Sequence, residues 1–127
     1  MKKLFLIGLM MLTGSAWAEW VLVSMTPNDG TEFYIDSKTI RKEGNLRKAW
    51  ELQNLKTPGI LGELSTRGRY EYDCKNERTR RLSSSLHSGA MAQGNTISTD
   101  SIAETTWDEV APRTAGASLF KYVCFLN

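Results

Sequence analysis

The side chains of this sequence best suited to chemistry are two cysteines, one histidine among serines, a pair of carboxylates and a run of arginines. Cys74 and Cys124 are the only cysteines and lie 50 residues apart. In an oxidising compartment an even pair in a small secreted domain reads as a disulfide. Metal ligation or a reactive thiol would need further ligands nearby or a reducing compartment. His87 stands near Ser83, Ser84, Ser85 and Ser88, the residue types of a nucleophilic hydrolase. There is no G-x-S-x-G elbow to expose a strained serine, so the expectation is a solvated histidine at a strand end. Glu71 and Asp73 share one strand face, as the paired carboxylates of glycosidases can, yet alternating charge on a solvated face gives the same pattern. One imidazole, no free cysteine pair and no acidic loop of calcium-binding spacing leave a metal ion without ligands. Gly59, Gly62, Gly89 and Gly94 match no phosphate-cradling fingerprint. The sequence thus leads us to expect a protein that is not an enzyme, with no catalytic residues, metal or cofactor.

The arginines carry the main binding candidate. Arg67 and Arg69 point outward from one expected strand, and Arg81 lies on the next with Lys75, Arg78 and Arg80 close by. Antiparallel pairing of these strands would gather Arg67, Arg69 and Arg81 into a patch able to meet carboxylates or sulfates. Glu71, Asp73 and Glu77 are interleaved, and cross-strand ion pairs account for the same charges without a ligand. Trp107, in an expected loop, is the one aromatic residue whose exposure would signal recognition; it could equally pack over the core edge.

Antiparallel hairpins must position these groups. Trp20–Met25 and Thr31–Ile35 read as strands around the turn Pro27-Asn28-Asp29-Gly30, whose residues tolerate positive φ. Asp36 caps a single helical turn through Ile40. Leu46–Leu55 alternates, with Leu46, Trp50 and Leu52 on one face and Arg47, Glu51 and Gln53 on the other. In Leu64–Cys74 the period of two sets Tyr70, Tyr72 and Cys74 on one face, opposite Arg67, Arg69, Glu71 and Asp73, so the disulfide is expected in the core. In Arg78–His87, Leu82 and Leu86 are expected inward, and Arg81, Ser83, Ser85 and His87 outward. A last short strand falls near Thr96–Thr99. The aromatic residues Trp20, Tyr34, Trp50, Tyr70, Tyr72 and Phe120 are expected in the core. From Ala115 the period becomes helical: Gly116, Leu119, Phe120, Val123 and Cys124 form one stripe, with Thr114 as N-cap. The fold class is α+β, an antiparallel β-sheet of about six strands with a C-terminal helix stapled to it by one disulfide.

The start of the chain sets the compartment. Lys2 and Lys3, an apolar run from Leu4 to Leu12, and Ala16-Trp17-Ala18 before Glu19 have the order of a cleavable signal peptide. The run is too short to span a bilayer, which takes about 20 residues. Residues 1–18 are therefore expected as leader and residues 19–127 as one domain, with no transmembrane segment after cleavage. The formal charge of +2 comes from 16 basic and 14 acidic residues, and losing Lys2 and Lys3 leaves 14 of each. Near-neutrality excludes nucleic-acid binders that work by displacing counterions.

Glu19-Trp20-Val21, Phe33-Tyr34-Ile35-Asp36 with Thr39-Ile40, Trp50-Glu51-Leu52, Glu71-Tyr72-Asp73-Cys74, His87-Ser88-Gly89, Trp107, Pro112 and the closing Tyr122-Val123-Cys124 resemble, in order and spacing, the surface-adhesin protein E family. The resemblance covers nearly all of the mature chain and implies an antiparallel sheet with a disulfide-held C-terminal helix. It implies a surface protein that attaches to extracellular-matrix and serum proteins and is able to form a homodimer. Two departures stand out. The chain has no lipobox cysteine, and Ser37 follows the Tyr-Ile-Asp aspartate where the family commonly has proline. Together these readings lead us to expect a non-catalytic exported binding protein of a Gram-negative bacterium, adhesin-like, recognising extracellular-matrix or envelope proteins or polyanions. The alternative is a soluble periplasmic accessory or inhibitor protein with no adhesive role.

Overall fold

The computed structural model describes residues 18–126, so nearly all of the expected leader lies outside the described residues. Eight strands form one antiparallel sheet: β1 (Trp20–Met25), β2 (Glu32–Asp36), β3 (Arg41–Glu43), β4 (Leu46–Asn54), β5 (Ser65–Asp73), β6 (Arg78–His87), β7 (Thr96–Asp100) and β8 (Asp108–Glu109). The spatial order is β1-β2-β4-β5-β6-β7. The short β3 and β8 are additional: β3 pairs the start of β4 on the side where β2 pairs its end, and β8 does the same for β7 along β6. The sheet is thus a meander of six lines, two of them interrupted.

Turn chemistry sets the connections. Gly30 closes the β1–β2 turn at φ +68°, and Thr31 N–H donates to the Asp29 carboxylate at 3.1 Å. After β2, the Asp36 side chain accepts from Lys38 N–H at 3.1 Å and starts the expected helical turn, Ser37–Thr39. That turn ends when Thr39 Oγ1 accepts from the Trp50 amide, which carries the chain across into β3.

The helix α1 (Ala115–Lys121) continues into a π-helical turn, Tyr122–Leu126. Thr114 caps it: its hydroxyl oxygen accepts from Ala117 N–H at 3.1 Å and its hydroxyl donates to the Ala111 carbonyl at 2.7 Å. The stripe expected from the sequence is the buried one, with Leu119, Phe120 and Val123 packed on Ile35, Ala49 and Tyr72. Cys74, just past β5, is bonded to Cys124 in the π-helical turn, which fastens the helix end to the middle of the sheet. No helix among the described residues is long and apolar enough to cross a membrane.

Because strand side chains alternate, the cross-strand register sorts residues between two faces. Under the helix lie Phe33, Ile35, Ala49, Glu51, Gln53, Gly68, Tyr70 and Tyr72. The opposite, helix-free face carries Tyr34, Lys48, Trp50, Leu52, Arg67, Arg69, Glu71 and Asp73. Trp50 and Tyr34, expected in the core, are therefore on the far side of the sheet from it. They remain half-buried there, because Leu52 and Ser65 are sunk into this face as well.

Candidate functional site

The helix-free face is built by β4, β5 and β6. Leu52, Arg67 and Ser85 form one cross-strand row, and Trp50, Arg69 and Ser83 form the next. The Arg67 guanidinium stacks on the Trp50 ring, 3.8 Å from its centroid. Stacking of this kind fixes the planar fork while leaving its N–H edges available for a second partner. Desolvation against the ring lowers the Arg67 pKa from its usual value, and the negative charge of Asp36 opposes that shift. Among the described residues neither Arg67 nor Arg69 forms an ion pair. Lys48 and Arg41 stand opposite each other on the same face and extend its positive charge.

Arg81 does not join this patch. The β5–β6 register shifts between Arg69 and Tyr70, where Arg69 faces Ser83 but Tyr70 faces Arg81. The extra residue on β6 forms a bulge that turns Arg81 to the helix side. There it pairs with Asp100 at 3.4 Å and Glu104 at 3.8 Å, so its charge is already met. The structure brings Arg67 and Arg69 together and sets Arg81 apart from them.

The carboxylates Glu71 and Asp73 are not on a solvated surface. They are only 5% and 4% exposed, and each is held by an arginine of β6. Arg80 meets Glu71 at 2.8 Å and Arg78 meets Asp73 at 2.9 Å. The hydrogen bond from the Asn76 side chain is the largest influence on the Asp73 carboxyl; desolvation opposes it, and the Asn76 backbone and Arg78 add to it, holding the carboxyl down at about 2. Trp107 lies against both guanidinium groups, 4.8 Å from Arg78 and 4.7 Å from Arg80. It packs over an ion-pair ladder, which accounts for its place without a ligand.

His87 is also enclosed, contrary to expectation, at 8% exposure. The loop over Ala90–Ala92 folds back on the sheet, where Met91 N–H donates to Asn54 and Ala92 N–H to Ser65. Ser85 Oγ lies 2.7 Å from His87 Nε2, but Nδ1 is buried with no hydrogen-bond partner. A nucleophilic triad needs a carboxylate at that nitrogen to fix the tautomer and stabilise the imidazolium. Burial and the nearby Arg67 charge instead push the His87 pKa down. Among the described residues no cluster of three or more histidine, cysteine or acidic side chains could hold a metal ion.

Glu51, which the alternation of the sequence sets opposite Trp50 and Leu52, is not among the functional residues expected from the sequence. Glu51 turns toward the helix, into a cleft of about 250 Å³. The residue is half-buried along that cleft, and desolvation raises its pKa to about 7. The hydroxyl of Tyr72 donates to Oε2 and opposes that rise. The alternation around Trp50-Glu51-Leu52 put Glu51 on a different face from Leu52, but nothing in the pattern told which face the helix would cover.

The profile of the family described as surface-adhesin protein E matches residues 20–125. Crystal structures of Haemophilus influenzae protein E share the fold at low sequence identity. One matches with a TM-score of 0.68 and 14% identity over 87% of this chain and 90% of that chain. Another, from a non-typeable strain, gives a TM-score of 0.57 and 13% identity over 87% of this chain and 78% of that one. No curated protein matches the sequence.

Proposed function

The chain belongs to the surface-adhesin protein E family, and from that premise we propose that it is an exported, non-catalytic binding protein that holds an anionic partner on its helix-free face. The partner is a carboxylate- or sulfate-bearing protein or polysaccharide of the matrix or envelope. The observation that carries this reading is the unpaired state of Arg67 and Arg69 beside Trp50, on a face where Glu71 and Asp73 already have arginines of their own. A stacked guanidinium loses little freedom on binding, and a charge-assisted hydrogen bond to it contributes about 1.5–3 kcal/mol.

Binding to immobilised heparin and to matrix glycoproteins, read by surface plasmon resonance, tests the face. Replacing Arg67 and Arg69 together with serine is expected to weaken binding at least roughly tenfold, from the charge-assisted bonds lost. Arg81→Ser, on the other side of the sheet, is expected to leave it unchanged. Equal affinity of the double variant and the native protein would remove the face from the argument. Protease treatment of intact cells separates an adhesive role from a periplasmic one: loss of the protein supports the former, and protection until the outer membrane is breached supports the latter.

A further inference from the structure

We propose that the cleft between α1 and strands β4 and β5 binds a small primary amine, with its ammonium group held by Glu51 among the rings of Phe33, Tyr70 and Tyr72. The cleft lies on the opposite side of the sheet from Arg67 and Arg69, so this site is independent of the proposed adhesive face.

Three features point to a cation. Glu51 has no ion-pair partner among the described residues, and the Tyr72 hydroxyl engages only Oε2, leaving Oε1 free. An enclosed carboxylate without a counter-charge is unfavourable, so the group either keeps its proton or recruits a cation. The walls are aromatic, and ring faces attract cations that have been stripped of water. The Tyr70 hydroxyl, on the same face, has no hydrogen-bond partner among the described residues and is available to a guest.

The surrounding charges leave Glu51 as the group a cation would meet. Phe33 of β2 and Gly116 and Leu119 of α1 are uncharged. Arg81 of β6 acts on Tyr70, but Asp100 and Glu104 pair with it. Arg47, on the same face of β4, is turned back on the carbonyls of Gly44 and Leu46.

Shape favours a compact guest. A cleft of about 250 Å³ is below the range that accommodates drug-sized ligands. An ammonium group presents three donors on a small head, whereas a guanidinium needs a flat two-point acceptor. Gly68 makes room for this arrangement: a Cβ there would lie 2.8 Å from Cε1 of Tyr70, so only glycine lets that ring lie across the strand.

The test uses the folded, disulfide-bonded protein and n-butylamine as probe, with n-butanol as the neutral counterpart, followed by NMR shifts of the Tyr70 and Tyr72 rings. Saturable binding of n-butylamine at pH 8.5 is expected, with none of n-butanol. A simple amine keeps its proton at that pH, its pKa being near the ordinary lysine value of about 10.4. Since the bound cation requires the ionised carboxyl, affinity is expected to fall roughly thirtyfold between pH 8.5 and 5.5. Glu51→Gln, which keeps an acceptor for Tyr72, should abolish binding. Gly116→Leu should also abolish it by blocking the mouth; the nearest atom to a Cβ at 116 is 3.6 Å away, so the helix has room for the change. Arg67→Ser with Arg69→Ser should bind the amine as the native protein does. No saturable shift at pH 8.5, unchanged affinity in Glu51→Gln, or equal binding of n-butanol would overturn the proposal.

Discussion

Breaking the Cys74–Cys124 bond is expected to lower stability by about 4 kcal/mol, the chain-entropy value for a closed loop of this length. For a domain of this size that corresponds to a fall in melting temperature of roughly 15–25 °C. The location of the bond makes the loss hard to recover. The α1 helix has only seven residues, too few to persist without tertiary contacts, and its packing is mainly on β1 and β2. Cys124 supplies the covalent tie to β5, and without it Leu119, Phe120 and Val123 must hold the helix alone. Thermal melts of the native protein with and without reductant, and of the Cys74→Ser, Cys124→Ser double variant, measure the effect. Coincident melts would mean that apolar packing fixes the helix unaided.

Replacing Tyr72 by alanine is expected to cost about 3–5 kcal/mol, the usual range for deleting a buried aromatic ring. Tyr72 is 1% exposed and lies between the helix stripe and the cleft, so its loss opens a cavity on both sides. Phenylalanine at the same position keeps the ring and isolates the hydroxyl. That variant is expected to lose only about 1 kcal/mol, for one hydrogen bond. It should also move Glu51 still further above its ordinary range, because the Tyr72 hydroxyl is the group that counteracts desolvation there. Denaturant unfolding measures the first effect and NMR titration of the Glu51 carboxyl the second. The sign of the pH dependence follows. A carboxyl raised to about 7 contributes stability that fades as pH climbs from its unfolded value of 4.5 through 7. Asp73, lowered to about 2, contributes stability that is lost as pH falls below 3.8.

Local chemistry was the most legible part of the sequence. Asp36 and Thr114 announced two helical starts because a side-chain acceptor beside exposed amides has few other uses. The alternation in β5 placed Cys74 with Tyr70 and Tyr72, and the helical stripe placed Cys124 inward, which together put the disulfide where it lies. Two features required three dimensions. The bulge opposite Arg69 and Tyr70 reverses the facing of Arg81, and a one-residue register change carries no mark in composition. The second concerns which face is the core. Both faces of this sheet are partly buried, so a period of two separates Trp50 from Glu51 without saying which of them meets the helix. Apolar character pointed to Trp50, but the helix covers Glu51, while Trp50 is sheltered by an arginine.

The attachment of Glu19 to the sheet has a bearing on export. Its backbone nitrogen donates to Asp36 Oδ1 at 3.0 Å, its carbonyl accepts from Ser37 N–H at 3.1 Å, and its carboxylate accepts from the Ser37 hydroxyl at 2.8 Å. If the chain is cut after Ala18, as the sequence leads us to expect, that nitrogen ceases to be a peptide amide and becomes an ammonium. The same contact is then a charge-assisted bond to an aspartate with little access to water, stronger than the bond it replaces. A melt of the domain beginning at Glu19, set against one still carrying residues before it, reads the difference directly. Leader removal would in this way do more than release the protein, because the cut end itself becomes a fastening of the folded state.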